Sequence, residues 1–430
     1  MRMSSLSETF GARLRALRVA EGISLSEFAR RLYYSKGHVS RIETGAQSPS
    51  PEFVRKCDAE LRAGGELITL AGETARVVRT ALSESAEEEV WVMTMTPDGG
   101  AAFSPVARRD VLLGGMAVIA GLKVSGTGVV SANAEAQLRY HRHLFDSARD
   151  LGQFSSPDVV LPMVVGQAQA LRTLAKQVGG RTVPAVASLA ARTAEYAGWM
   201  AQEAGDDSAA AWWTDRAVRV ARVAGDDFLA SYALVRQALI TMYQGDGATT
   251  VSLAQRAQAE KNVPARVLGL AAQREAQGHA LLGDRDACLR ALDRARTLLL
   301  DPSGAPEGPV IGTSRVADPV AVATGWCLYD LGQPAKAAEV LDRELARIPG
   351  SAVRARARFG VRLCLAYAAS GELEHACRLA RPLFGQIAQL GSATVRTDLR
   401  RLATLVRRWS AHPEVRALEP ELTIALGRSA

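Results

Sequence analysis

The sequence predicts an all-α protein built from a module of short helices followed by a long array of helical repeats. Three observations carry this expectation. Residues 7–61 show short apolar stripes at helical spacing separated by turn signals. From Ser131 onward the chain is rich in Ala, Leu and Arg, with helical periodicity and almost no strand signal. Glycines recur there at intervals of 40, 38, 49 and 39 residues. With 430 residues, 48% of them hydrophobic, the chain can bury a large core without disulfides or metal.

The first helix carries Phe10, Leu14 and Leu17 on one face and stops at Gly22, a residue suited to the left-handed C′ position. Ser24 is placed to cap a second helix with Leu25, Phe28, Ala29 and Leu32 on its apolar face. A third helix starts near Ser35, buries Val39 and Ile42 and ends at Gly45. Ser50 followed by Pro51 opens a fourth, with Val54, Cys57 and Leu61 inward. Residues 63–82 continue helically. Charge is concentrated here: residues 1–41 hold eight Arg or Lys against three Glu. A basic end of this kind suits a polyanionic partner.

Ala29 stands ten positions before Val39 and thirteen before Ile42, the spacing of two helices crossing at a tight turn. Together with Leu14-Arg15-x-Leu17-Arg18, Gly22-Ile23-Ser24, Phe28-Ala29-x-x-Leu32 and Ser35-x-x-x-Val39-Ser40-Arg41-Ile42-Glu43-x-Gly45, this makes residues 9–62 resemble the lambda-repressor-like (XRE) helix-turn-helix domain. The resemblance implies a five-helix domain over residues 1–82 whose third helix enters the major groove. It further implies that Lys36, Gly37, His38 and Arg41 face the groove, and Arg41 and Lys36 are chemically able to donate to guanine O6 and N7. Ser35 and Ser40, with Arg13 and Arg18, suit phosphate contacts. Glu43 is expected to bond within the module. Two positions depart from the family pattern, Leu25 where many members have Gln and Tyr33 where the turn usually has Gly, as in an actinobacterial-type variant.

Residues 83–130 read as a linker. The β-prone run Val90–Met95, followed by Pro97-Asp98-Gly99-Gly100, predicts a short strand or hairpin within 83–107. Arg108-Arg109 and the apolar residues after it resemble a twin-arginine export signal, but the internal position favours a Gly/Ala-rich packing segment. The longest apolar stretch, Val111 to Leu122, is far shorter than the ~20 residues of a membrane helix. Five cysteines without a Cys-x-x-Cys pair suggest free thiols, and the absence of an apolar leader suggests a cytoplasmic protein.

In the region 131–430 the turn glycines are Gly205, Gly245, Gly283, Gly332 and Gly371. Seven residues before them lie Gly198, Ala238, Ala276, Gly325 and Cys364, and five after lie Ala210, Thr250, Cys288, Ala337 and Ala376. All ten are small, so two antiparallel helices can approach closely around each turn. Further helices are expected at 132–150, 156–178, 184–203 and 392–410, with a loop at 301–309. The array resembles a tetratricopeptide-type (TPR) α-solenoid. That resemblance implies a concave face lined by the first helix of each repeat, on which Arg192, Trp199, Tyr232, Gln273, Gln277, Trp326, Tyr329 and Arg358 are the candidate ligand contacts.

No catalytic or metal-ligating pattern emerges: His141 and His143 point to different faces of one helix, and neither a Gly-x-Ser-x-Gly nor a Walker-type loop occurs. An enzyme and a bound cofactor are therefore not expected. A DNA reader joined to a helical-repeat array resembles the RRNPP group of quorum-sensing regulators. The implied function is a homodimeric regulator on a palindromic operator in double-stranded DNA, sensing a peptide or small-molecule effector. Effector binding would change the pitch of the solenoid and thereby the spacing of the two DNA-binding modules. The alternative is a TPR interaction scaffold or antiactivator with little DNA-binding role.

Overall fold

The computed structural model describes residues 10–44, 49–71, 89–95, 101–107, 133–178, 182–226, 228–260, 263–300 and 316–427. Two compact units divide the chain, one comprising residues 1–144, 166–193 and 219–226 and the other 145–165, 194–218 and 227–430. The stretch 131–430 is thus shared between them. Apart from one hairpin, the described elements are helices.

In the first unit, α1 (Phe10–Ala20), α2 (Leu25–Leu32), α3 (Lys36–Glu43) and α4 (Pro51–Glu60) form the N-terminal module, and residues 66–71 are helical again. Each start has a local cause. Ser24, Ser35 and Ser50 accept the backbone N–H of Glu27, His38 and Phe53, and Pro51 opens α4. Asp58 ties down the turn after α4 by accepting the N–H groups of Gly65 and Leu67 at 2.8 and 3.0 Å. The apolar stripes meet in one core of Phe10, Leu14, Phe28, Ala29, Leu32, Val39, Ile42, Phe53, Val54, Cys57, Leu61 and Leu67. Gly11 lets α1 lie against the end of α3, because a Cβ there would collide with the carbonyl oxygens of Ile42 and Glu43.

An antiparallel hairpin follows, β1 (Glu89–Met95) and β2 (Ala101–Ala107), with Val92 opposite Ser104. The expected hairpin in 83–107 is therefore present. The Arg108-Arg109 segment, the end of the 63–82 helix and the loop at 301–309 lie outside the described residues.

The remaining helices are α5 (Ala134–Leu151), α6 (Pro157–Gln177), α7 (Thr182–Ala204), α8 (Asp207–Ala224), α9 (Phe228–Tyr243), α10 (Gly247–Ala259), α11 (Ala265–Leu281), α12 (Arg285–Leu299), α13 (Pro319–Asp330), α14 (Pro334–Arg347), α15 (Val353–Ala369), α16 (Leu373–Leu390), α17 (Ala393–Val406) and α18 (Pro413–Ala425). Helices α5 to α8 contribute to both units. From residue 227 onward they form an α-solenoid of antiparallel pairs, α9 with α10, α11 with α12, α13 with α14 and α15 with α16.

The small residues explain how closely the pairs pack. Gly245 and Gly371 turn the chain at φ +82° and +96°, where a side chain would be strained. Asp206, Asp246 and Asp284 then cap the following helix through the N–H of Ala209, Thr249 and Ala287. All ten small positions are buried. At Gly325 a Cβ would lie 2.6 Å from Leu341 Cγ, so α13 and α14 could not keep their separation.

Candidate functional site

Within the N-terminal module, α2 and α3 are joined by Tyr33, Tyr34 and Ser35. Tyr33 adopts the left-handed conformation, φ 61° and ψ 39°, and its side chain is 91% exposed. Its N–H donates to the Arg30 carbonyl and that of Tyr34 to the Ala29 carbonyl, which closes α2 and aims α3 outward. With Val39 and Ile42 buried in the core, the opposite face of α3 presents Lys36, Gly37 and Arg41, all exposed, with Ser35 beside them and Ser40 half-buried. Gly37 adds no side chain to that face. A Cβ there would meet only Arg41 Nη1, at 3.5 Å, so close backbone approach by a ligand is unobstructed.

Two residues expected at the DNA turn inward instead. Arg18 is buried and grips Glu43 through both guanidinium edges, Nε to Oε1 at 2.6 Å and Nη2 to Oε2 at 2.8 Å, while Nη1 donates to the Ile23 carbonyl. All three guanidinium nitrogens are bonded within the module, two to Glu43 of α3 and one to the loop before α2, so the expected phosphate contact is corrected to a structural role. Glu43, as expected, bonds within the module. His38 is the second case: its ring stacks on Tyr34 at 4.9 Å and meets Phe53 edge-on at 5.5 Å. Burial, assisted by nearby Arg41, lowers its pKa below the ordinary histidine value, so the ring is neutral at pH 7. It supports α3 from beneath. Arg13 remains half-exposed and pairs with Glu66 at 2.7 Å.

The candidate ligand residues of the repeats fall in both units. Arg192 belongs to the first and pairs with Asp226 at 3.5 Å. Trp199, Tyr232, Gln273, Gln277, Trp326, Tyr329 and Arg358 belong to the second. Of these, Tyr232, Gln273, Gln277 and Trp326 are at most 7% exposed. Trp199, Tyr329 and Arg358 are half-buried. The candidates are thus buried or half-buried among the packed helices.

The packing around them is held by charged residues, of which Arg358 alone is among the sequence candidates. Glu203, fully buried, accepts from Arg354 Nη1 at 2.6 Å, from Arg358 Nη2 at 2.8 Å, and from the hydroxyls of Ser392 and Thr394 at 2.5 and 2.8 Å. Burial alone would raise its pKa, but the two guanidiniums and two hydroxyls outweigh that and hold the carboxyl at about 2. Arg354 also donates to the carbonyls of Gly152 and Ser155, and Arg362 forms a bidentate pair with Asp398 at 2.9 and 3.0 Å. The ring of Trp199 lies 5.7 Å from the Arg354 guanidinium, and Arg362 lies over Trp326. The available signal is Arg354, Arg358 and Arg362 at i, i+4 and i+8, one stripe of α15, with a fourth arginine, Arg356, off that stripe.

Comparison with known families places the N-terminal geometry. Residues 9–71 match the family described as a helix-turn-helix domain. The module is a helix-turn-helix DNA-binding domain. A search of the curated proteins gives no match. Among the described residues, no helix is long and apolar enough to cross a membrane, and no group of three His, Cys, Asp or Glu is placed to hold a metal ion. The helix-turn-helix domain and the helical fold point to a regulator rather than an enzyme.

Proposed function

We propose that the protein is a sequence-specific transcriptional regulator that reads a palindromic operator as a cytoplasmic homodimer and responds to an effector held by its TPR-like helical array. The observation that carries the DNA-reading part is the two-sidedness of α3. Val39 and Ile42 anchor the helix, while Ser35, Lys36, Gly37 and Arg41 stand outward on the opposite face. Arg41 is the base reader, since its guanidinium can donate twice to guanine in the major groove, and Lys36 supports it. Ser35, Ser40 and Arg13 serve the phosphate backbone.

A single module of this size binds modestly, and two half-sites read together gain effective concentration. The two-part organisation, like that of RRNPP-type regulators, supports the reading in which the repeats sense the effector and join the subunits. Selection of bound duplexes from a random pool tests the reading. A recovered inverted repeat supports it, and recovery of unrelated sequences with the affinity of bulk DNA refutes it.

A further inference from the structure

Within the second unit, one arginine of the packed helices lacks a carboxylate partner among the described residues. Around it, Arg236 pairs with Glu195 at 3.5 Å, and Arg354 and Arg358 share Glu203. Arg354 is fully engaged by Glu203 and two carbonyls. Arg274 is the opposite case: its partners are Gln277 Oε1 and the Met242 sulfur, and among the described residues no carboxylate lies within ion-pair distance of it. Burial lowers its pKa to about 10, which leaves it charged at neutral pH. Arg274 is half-buried, and a cation so placed without a counter-charge is costly, the more so with unused donors beside it.

Those unused donors converge. Arg236 is 5% exposed, and its Nε has no hydrogen bond, with Glu195 3.5 Å away. Arg358 Nε and the Tyr243 hydroxyl are likewise buried with no hydrogen-bond partner. Arg274 Nη1 lies 3.9 Å from the sulfur of Met242, the residue before Tyr243. Arg236 and Arg358 bond the adjacent residues Gln202 and Glu203, so groups from α9, α11 and α15 lie close together, in keeping with their mutual electrostatic influence. We infer that this interior is a binding site for a small organic anion, whose carboxylate or phosphate group is held by Arg236, Arg274 and Arg358 with the Tyr243 hydroxyl.

The inference deepens the reading of the helical array as an effector sensor, on which it rests, and it chooses between the two effector classes. An extended peptide needs an open row of contacts. Here the row α9, α11, α13, α15, α17 is closed, because Glu203 at the end of α7 is bonded to α15 and α17 while Gln202 of the same helix accepts from Arg236 of α9. Arg358 keeps 16% of its side-chain exposure, so solvent reaches the site.

Thermal unfolding of the full chain in sodium phosphate, in sodium succinate and in sodium chloride of equal ionic strength tests this directly. The expected result is a Tm rise of about 5 °C once one of the anions stands near a hundred times its Kd, relative to chloride. Phosphate alone or succinate alone would name the ligand's anionic group, and both together would support the shared chemistry. Arg274→Gln should abolish the rise without lowering the Tm in chloride, because it removes a cation that has no counter-charge. Tyr243→Phe should weaken the rise. No rise over chloride with either anion, or a full rise in Arg274→Gln, overturns the inference. Arg41→Ala should keep the rise while losing operator discrimination, which separates this site from the DNA face. A rise that leaves operator affinity unchanged supports the site and refutes the sensor reading.

Discussion

Replacing Glu203 by Gln takes away one negative charge and keeps the shape, leaving Arg354 and Arg358 facing each other with no carboxylate between them. Removing one partner of a buried ion pair costs roughly 3–5 kcal/mol. The titration of the carboxyl leads to the same order. It loses its proton at about 2 against a normal 4.5, and since each tenfold change in proton affinity is worth about 1.4 kcal/mol, the charged form contributes roughly 3 kcal/mol to the fold. In a unit of this size that corresponds to a Tm loss of roughly 10 °C.

The pH dependence has a definite sign. A depressed carboxylate contributes fully above the unfolded-state pKa, so the difference between native protein and variant should be constant from pH 7 down to about 5. It should then shrink as the pH falls toward 2, where the native carboxyl also becomes protonated. Calorimetric melts of both proteins across that range measure it. Equal Tm values at pH 7, or a difference that stays constant down to about pH 2.5, would refute the assignment of Glu203 as the charged tie between α7, α15 and α17.

Three further outcomes follow from the DNA-binding module. Arg18→Met should destabilise it by about 3 kcal/mol, because Glu43 is left buried without its partner, and melts of that variant should show the loss; an unchanged melt would return Arg18 to the surface. Tyr33→Gly should stabilise the module by about 1 kcal/mol by relieving a left-handed backbone, provided the exposed ring makes no contact of its own, and chemical denaturation reads the change. His38→Phe should leave DNA discrimination nearly unchanged, since the ring packs on Tyr34 and Phe53, and loss of one base preference in operator variants would contradict that placement.

What is legible in the sequence depends on local rules. Serine caps, the glycine turns and small residues seven before and five after them act within one helical hairpin, so helix pairs from Gly198 to Ala376 are readable in order. The core of the DNA-binding module follows from helical spacing alone, including Ala29, Val39 and Ile42. Long-range pairing is not readable in this way. Nothing local tells that Arg18 will meet Glu43 rather than a phosphate, because both uses want the same guanidinium on the same turn of α1. Glu203 sits 151 residues from Arg354, a separation over which no local rule pairs them. Position on α3 alone points His38 outward, whereas the two aromatic neighbours that draw it in come from the turn and from α4.

Binding of the full chain to its selected operator, measured beside a series with each base pair of one half-site replaced, bears most directly on the claim that α3 reads DNA. The native protein should discriminate at a guanine-containing position that Arg41→Ala no longer distinguishes, at a cost of roughly 1–3 kcal/mol confined to that position. Arg41→Ala that binds every variant with the native order of preference would contradict it.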